Sequence, residues 1–366
     1  MTKLHLVRRT GNTLLRRIIC YLAAIAISMG IGAILLLSLG INPLDYYSDM
    51  LTVGLIGNKY AYKSVEGFLK VFVPLLMVSM ALALSFKMRF WNIGGEGEFL
   101  IGAMCAAAIA YRCDGMPGPV VLILMCLAAM ISSGLVGLAV AFLKCRFNTN
   151  ETLVTLMMNY IVLYAVKYIG ETKAPWNFFL REDSERPLFA KFPDNAIMPG
   201  IMIGRFNLLY SVVISVILTV IIYIYLKYTK QGYEIAVVGD SINTARYAGM
   251  KVNGIILRTM FISAALIGLA GAFSASASAT VSPSMTNNAG WTGIVVAWLS
   301  KLSIPGILVA AFLISLLQYG CLAASLSYPE IDQNFADLMQ GMILFAVLMS
   351  DFLVTFKIVR RKETES

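Results

Sequence analysis

The sequence has 366 residues, 59% of them hydrophobic and only 13% charged, with a mean hydropathy of +0.78. A soluble domain carries about a quarter charged residues, so this composition excludes a single water-soluble globule and requires lipid to solvate much of the surface. The net charge of +9 does not indicate nucleic acid, because it gathers in short flanks of apolar runs, where anionic membrane lipid is the expected partner.

In chain order, residues 1–17 form a basic tail with Lys3, Arg8, Arg9, Arg16 and Arg17 and no acid. The first apolar run, 18–39, is long for a signal-peptide core and lacks a small-residue cleavage site, so it reads as a retained span. Backbone groups in lipid must bond internally. Helical spans are therefore expected near 18–39, 71–86, 98–111, 120–142, 152–169, 208–228, 255–279, 292–302, 307–326 and 335–356. Ten spans put both termini on one side. The basic tail 357–366, with Lys357, Arg360, Arg361 and Lys362 ahead of Glu363 and Glu365, agrees with the first tail in naming that side the cytoplasm. On this arrangement the interior segments hold 19 of the 29 Lys and Arg residues. The runs 71–86, 98–111 and 292–302 are short at about 1.5 Å per residue. The fold class is thus an all-α, polytopic transmembrane bundle of eight to ten spans with broken or re-entrant segments.

The stretch Phe90-Trp91-Asn92-Ile93-Gly94-Gly95-Glu96-Gly97-Glu98-Phe99 lies between two short apolar runs. Two readings are open. A broken helix would turn backbone groups, Asn92 and Glu96 toward a solute path. A solvated turn would leave the two glutamates at the next helix N-terminus, where anions are favoured. Asn150-Glu151-Thr152 opens the span carrying Asn159 and Tyr160; membrane Asn is as apt to bond a neighbouring helix as a polar solute. Ser132-Ser133-Gly134 with Gly137, and Gly268 with Gly271-Ala272, suit close helix approach.

The exterior segment 170–206 has four prolines and five acids against five bases, and reads as either a folded connector or a docking surface for an extracytoplasmic partner. Residues 229–254 face the cytoplasm. Within them Gly232-Tyr233-Glu234 through Ala245-Arg246-Tyr247-Ala248-Gly249 reads as one short amphipathic helix, with Ile235, Val238, Ile242, Ala245 and Ala248 near helical spacing. It can dock on a separate motor or lie on lipid. Farther on, Asn287-Asn288 and Trp291 precede the short run at 292–302. Paired Gly-rich interruptions at 92–102 and 290–306 suggest a transporter built from repeats, with the path between them.

Six cysteines without CxxC spacing give no zinc site or disulfide framework. The only histidine is His5, and no GxxxxGK[ST] loop is present, so no bound cofactor and no nucleotide motor are expected in this chain. The absence of a carboxylate chain within the spans argues against a proton-coupled carrier.

These motifs resemble the permeases of ABC importers for simple sugars, branched-chain amino acids and nucleosides, most closely the nucleoside branch. The resemblance covers about residues 70–356. It rests on Asn92-Ile93-Gly94-Gly95-Glu96-Gly97-Glu98, Asn150-Glu151 through Thr155-Leu156-Met157-Met158-Asn159-Tyr160-Ile161, Gly232-Tyr233-Glu234, Ala245-Arg246-Tyr247-Ala248-Gly249, Trp291-Thr292-Gly293-Ile294, Pro305-Gly306 and Gln340-Gly341. The family pattern has Gln where this chain has Glu98. The resemblance implies a plasma-membrane permease, not an enzyme, with ATP used by partner ATPase subunits. A second permease chain, identical or paralogous, and an extracytoplasmic solute-binding protein are implied with it. It implies a solute path bordered by Asn92, Glu96, Glu98, Asn159, Asn288 and Trp291. It also implies ATPase coupling through Gly232, Tyr233, Glu234, Ala245, Arg246 and Gly249. Nucleosides are the expected cargo; ribose or another simple sugar is the alternative, and a secondary carrier a more distant one.

Overall fold

The computed structural model describes residues 2–8, 14–52, 60–325, 328, 331 and 333–362; Arg9, Glu363, Glu365 and the expected span end at 326 lie outside them. The first elements are β1 (Thr2–Arg8), α1 (Leu14–Ser38), α2 (Pro43–Thr52), α3 (Ala61–Lys87), α4 (Gly95–Arg112), α5 (Gly118–Phe147) and α6 (Glu151–Glu171). After an irregular stretch come β2 (Gly200–Ile203), β3 (Phe206–Leu209), α7 (Tyr210–Tyr228), α8 (Lys230–Asp240) and α9 (Ile242–Tyr247). The chain ends with α10 (Val252–Ser278), α11 (Ala289–Leu299), α12 (Ile304–Ser325), α13 (Gln333–Thr355) and β4 (Phe356–Lys362). Seven of these helices are long and apolar enough to cross a membrane. The all-α bundle expected from the apolar runs is what the chain forms, with four short strands added.

One compact unit comprises Met1–Ser64 and Leu316–Ser366. Here α1 packs along α13, and Tyr46 of α2 is fully buried against Tyr47 and Phe335 in edge-on ring contacts. The two expected tails are paired: β1 runs antiparallel to β4, with Thr2 opposite Lys362. The ten-residue helix α2 was not legible among the apolar runs because Asp45 and Asp49 dilute its apolar content.

The other unit is Val65–Ser315, with α10 packed against both α4 and α5. Most of α3 and α10 is buried, whereas only 22% of α6 or α7 is, so α3 and α10 form the core and α6 and α7 its rim. Lipid tails are as apolar as leucine, so helices in a membrane associate through close packing and hydrogen bonds. Both are present. A Cβ on Gly102 would stand 2.4 Å from Cα of Gly268, so these backbones meet where no side chain fits. Ser133 donates to Ala264 O and Ser263 to Ala81 O, each at 2.7 Å. The expected close approach of the glycines at 134, 137 and 268 is found, against Phe261, Ala264 and Ala129.

The run expected at 71–86 is longer: α3 is 27 residues, about 40 Å at helical rise. Its first turns carry Lys63, Glu66 and Lys70, which hide them from hydropathy. The short run at 292–302 stays short, since α11 has 11 residues and spans only about 16 Å. The segment 172–209 is a folded connector. Leu180 bridges Phe189, β2 and β3 form a hairpin closed at Gly204 (φ +65°), and Phe179, Phe192 and Ala196 enter the core with Ala275 and Val281. This connector precedes α7 and α8 follows it, so connector and α8–α9 sit at opposite ends of that helix.

Candidate functional site

The interrupted segment begins where α3 ends. Arg89 takes a left-handed conformation (φ +57°), an αL helix stop. Asn92 Oδ1 then accepts from Gly94 N at 2.9 Å, an Asx turn that aims the chain into α4. The Asn92 amide donates 3.1 Å bonds to both oxygens of Glu98 in the first turn of α4. From α6, Asn159 donates to Ile93 O at 2.7 Å and accepts from Gly97 N at 2.8 Å. Thr155, one turn earlier on the same face, accepts from Ile93 N at 3.1 Å. Two side chains of α6 thus complete the backbone groups that the break leaves open, as buried polar groups require.

The break packs against the side of α5. Oε1 of Glu98 is 3.5 Å from a Cβ built on Gly137, ten residues from the end of α5, or about 15 Å along the helix. Glu96 reaches the other interruption: its Oε1 accepts from Gly290 N at 2.8 Å and Trp291 N at 3.4 Å. A carboxylate thereby caps the N-terminus of α11, where unpaired N–H groups and the helix dipole favour an anion. Asn287 and Asn288 precede it with φ of +45° and +58°, a conformation Asn tolerates better than most residues. The two helix N-termini meet closely, because a Cβ on Gly290 would stand 2.6 Å from the Glu96 nitrogen.

Of the six residues expected to border a path, the structure brings Asn92, Glu98 and Asn159 into one hydrogen-bonded knot, each under 7% exposed. Glu96 joins α4 to α11, while Asn288 and Trp291 are exposed beside it. Sequence reasoning missed Thr155 as a member. Its spacing of four from Asn159 was the available signal.

The second candidate region is two helices rather than the single one expected. Extended Ser241 separates α8 from α9 and caps α9 by accepting from Thr244 N at 3.2 Å. Thr229 caps α8 by accepting from Gly232 N at 3.1 Å. The break resets the helical face. Ile235, Val238 and Ala245 pack inward with Met88, Phe90 and Val252, whereas Ile242 and Ala248 are exposed. Glu234 is held by Arg258 of α10 at 3.0 Å, and Gly249 closes α9 with φ +74°. The outer surface presents Tyr233, Arg246 and Tyr247, the last 94% exposed.

Residues 64–348 match a family described as the permease component of the branched-chain amino acid transport system. The chain belongs to this permease family. This permease is 28% identical to the guanosine ABC transporter permease protein NupP of Bacillus subtilis, over 90% of this chain and 92% of that one. It is 26% identical to the nucleoside ABC transporter permease protein NupB of Lactococcus lactis, over 96% of each. A third relative is the glucose ABC transporter permease protein TsgB13 of Haloferax volcanii, 24% identical over 90% of this permease and 87% of that protein. A multi-pass membrane permease is the shared property, consistent with the seven long apolar helices.

Proposed function

We propose that this permease is the membrane subunit of an ATP-driven importer of nucleosides, working by alternating access with separate ATPase subunits and a second permease chain. An extracytoplasmic binding protein would deliver the solute. The observation that carries this reading is the similarity, along 90% or more of the chain, to two permeases named for guanosine and for nucleosides. The sequence holds no GxxxxGK[ST] loop, which supports placing ATP hydrolysis on another subunit. In this reading α8–α9 is the coupling element. Its inner face is anchored in the core and its outer face offers Arg246 and Tyr247 to a cytoplasmic ATPase groove. The knot of Asn92, Glu98 and Asn159 holds the broken segment rigid beside the path, and Glu96, Asn288 and Trp291 lie nearer to the solute.

The glucose permease among the relatives supports simple sugars as the second reading. Uptake by the complete transporter, with labelled uridine and adenosine competed by ribose and glucose, separates the two. Competition by the sugars but not by nucleosides rejects the nucleoside reading. Arg246→Glu and Tyr247→Asp, both on the exposed face, are expected to leave a folded complex whose ATP hydrolysis no longer drives uptake. Normal uptake in both variants would remove the coupling role. Gly232 is a poor site for this test, because a Cβ there would stand 2.4 Å from Leu226 O and break the α7–α8 turn.

A further inference from the structure

A second polar site lies away from both regions above, at the end of the Val65–Ser315 unit that carries the connector. There α3, the β2–β3 hairpin, the start of α7 and the end of α10 enclose a cavity of about 170 Å³. Its polar lining includes Glu66, Lys70, Asn207, Ser211 and Ser274, with Met198 and Phe273 among the apolar residues. Glu66 accepts from Asn207 N at 2.7 Å through Oε1, and no hydrogen bond to its other oxygen is found among the described residues. Asn207 Oδ1 has no hydrogen-bond partner, but it is sealed against Gly200 and does not face the cavity. Such a group is rare in a folded protein, since an unpaired buried acceptor is costly. Pro74, also on the wall, lacks the N–H that a helix would give to the Lys70 carbonyl four residues back.

The lining thus combines the Glu66 carboxylate, whose second oxygen accepts no hydrogen bond among the described residues, with Ser211, Ser274 and Lys70 around an apolar floor. Vicinal hydroxyls donate to a carboxylate oxygen and accept from Lys and Ser, while a sugar's C–H face suits apolar side chains. The volume falls below the roughly 300–1,000 Å³ typical of drug-sized sites, which suits one furanose ring and not a whole nucleoside. We infer that this cavity binds a pentose-sized polyhydroxyl group, either the ribosyl part of a nucleoside or a free pentose. With the permease reading on which it rests, the cavity becomes a docking point for solute at the connector end, distinct from the break between α3 and α4.

The test uses the permease–ATPase complex in lipid nanodiscs without the binding protein. Equilibrium binding is measured for labelled uridine and for 2′,3′-dideoxyuridine, with ribose as competitor. Glu66→Gln keeps the acceptor that holds Asn207, yet is expected to weaken uridine about tenfold, as loss of a charge-assisted hydrogen bond implies. Dideoxyuridine binding should move little. Ser274→Phe fills the cavity and is expected to abolish binding of both. Displacement by ribose assigns the pentose alone as sufficient; displacement by uridine only assigns the nucleoside's ribosyl group. Equal loss of uridine and dideoxyuridine in Glu66→Gln, or unchanged binding in Ser274→Phe, overturns the site. Wild-type uptake by the complete transporter is measured beside these. A transporter that moves nucleosides but shows no such selectivity refutes the cavity alone, whereas one that moves neither nucleosides nor pentoses refutes the functional reading.

Discussion

At Glu98 a carboxylate is 1% exposed, and the Asn92 amide is its only hydrogen-bond donor among the described residues. Burying an acid is costly unless its oxygens are paired, so Asn92 and Glu98 stand or fall together. Asn92→Ala removes that donor and also the acceptor that fixes Gly94. It is expected to cost roughly 1–3 kcal/mol, seen as a lower melting temperature of the detergent-purified permease. The family pattern has Gln at this position, and the geometry explains how both residues fit. Gln keeps an acceptor oxygen toward Asn92 and removes an ionisable group from the interior. Glu98→Gln is therefore expected to melt at or above the wild-type temperature and to retain uptake. A marked drop in melting temperature would show that the carboxylate has a partner beyond Asn92.

Among elements, the pairing of α10 with α4 and α5 sets what the unit tolerates. A Cβ on Gly268 would stand 2.4 Å from both Ala129 O and Ser133 Cβ; the first is backbone, so the helices themselves must separate. Overpacking of this kind costs about 1–3 kcal/mol. Gly341 on α13 has nothing within 4 Å of its Cβ position and serves as the control. Gly268→Ala is expected to lower the melting temperature and the yield of monodisperse protein. Gly341→Ala should be neutral or slightly stabilising, as helix propensity predicts. Equal behaviour of the two would mean that the α5–α10 approach is looser than the distances indicate. The same scale shows why α8–α9 was misread as one helix. Ile235, Val238, Ile242 and Ala245 keep a helical period in sequence, but Ser241 prefers to cap the next turn, a local side-chain bond that competes with helix continuation.

For the whole molecule, periodicity and hydropathy placed a helix at each of the ten expected runs, and seven of those helices are long and apolar enough to cross a membrane. They failed where charge is mixed into a helix, as at Lys63, Glu66 and Lys70 of α3, and at Asp45 and Asp49 of α2. Asn92, Asn150 and Asn159 were legible as residues of interest from local pattern. The contact of Glu96 with Gly290 was not, since it joins residues 194 apart and no local rule reports it. The 19 residues of α7 cover about 28 Å, close to the hydrocarbon thickness of about 30 Å, and separate the connector from α8–α9. On the ten-span arrangement 19 of the 29 Lys and Arg residues fall on the α8–α9 side, and we propose on that ground that this side is cytoplasmic. In a background with the six native cysteines replaced by Ala, Glu182→Cys on the connector and Tyr247→Cys on α9 each offer one exposed thiol. A membrane-impermeant maleimide applied to intact cells is expected to label position 182 alone, and position 247 only after permeabilisation. Labelling of 247 in intact cells would invert the molecule and place the proposed coupling element beyond reach of any cytoplasmic ATPase.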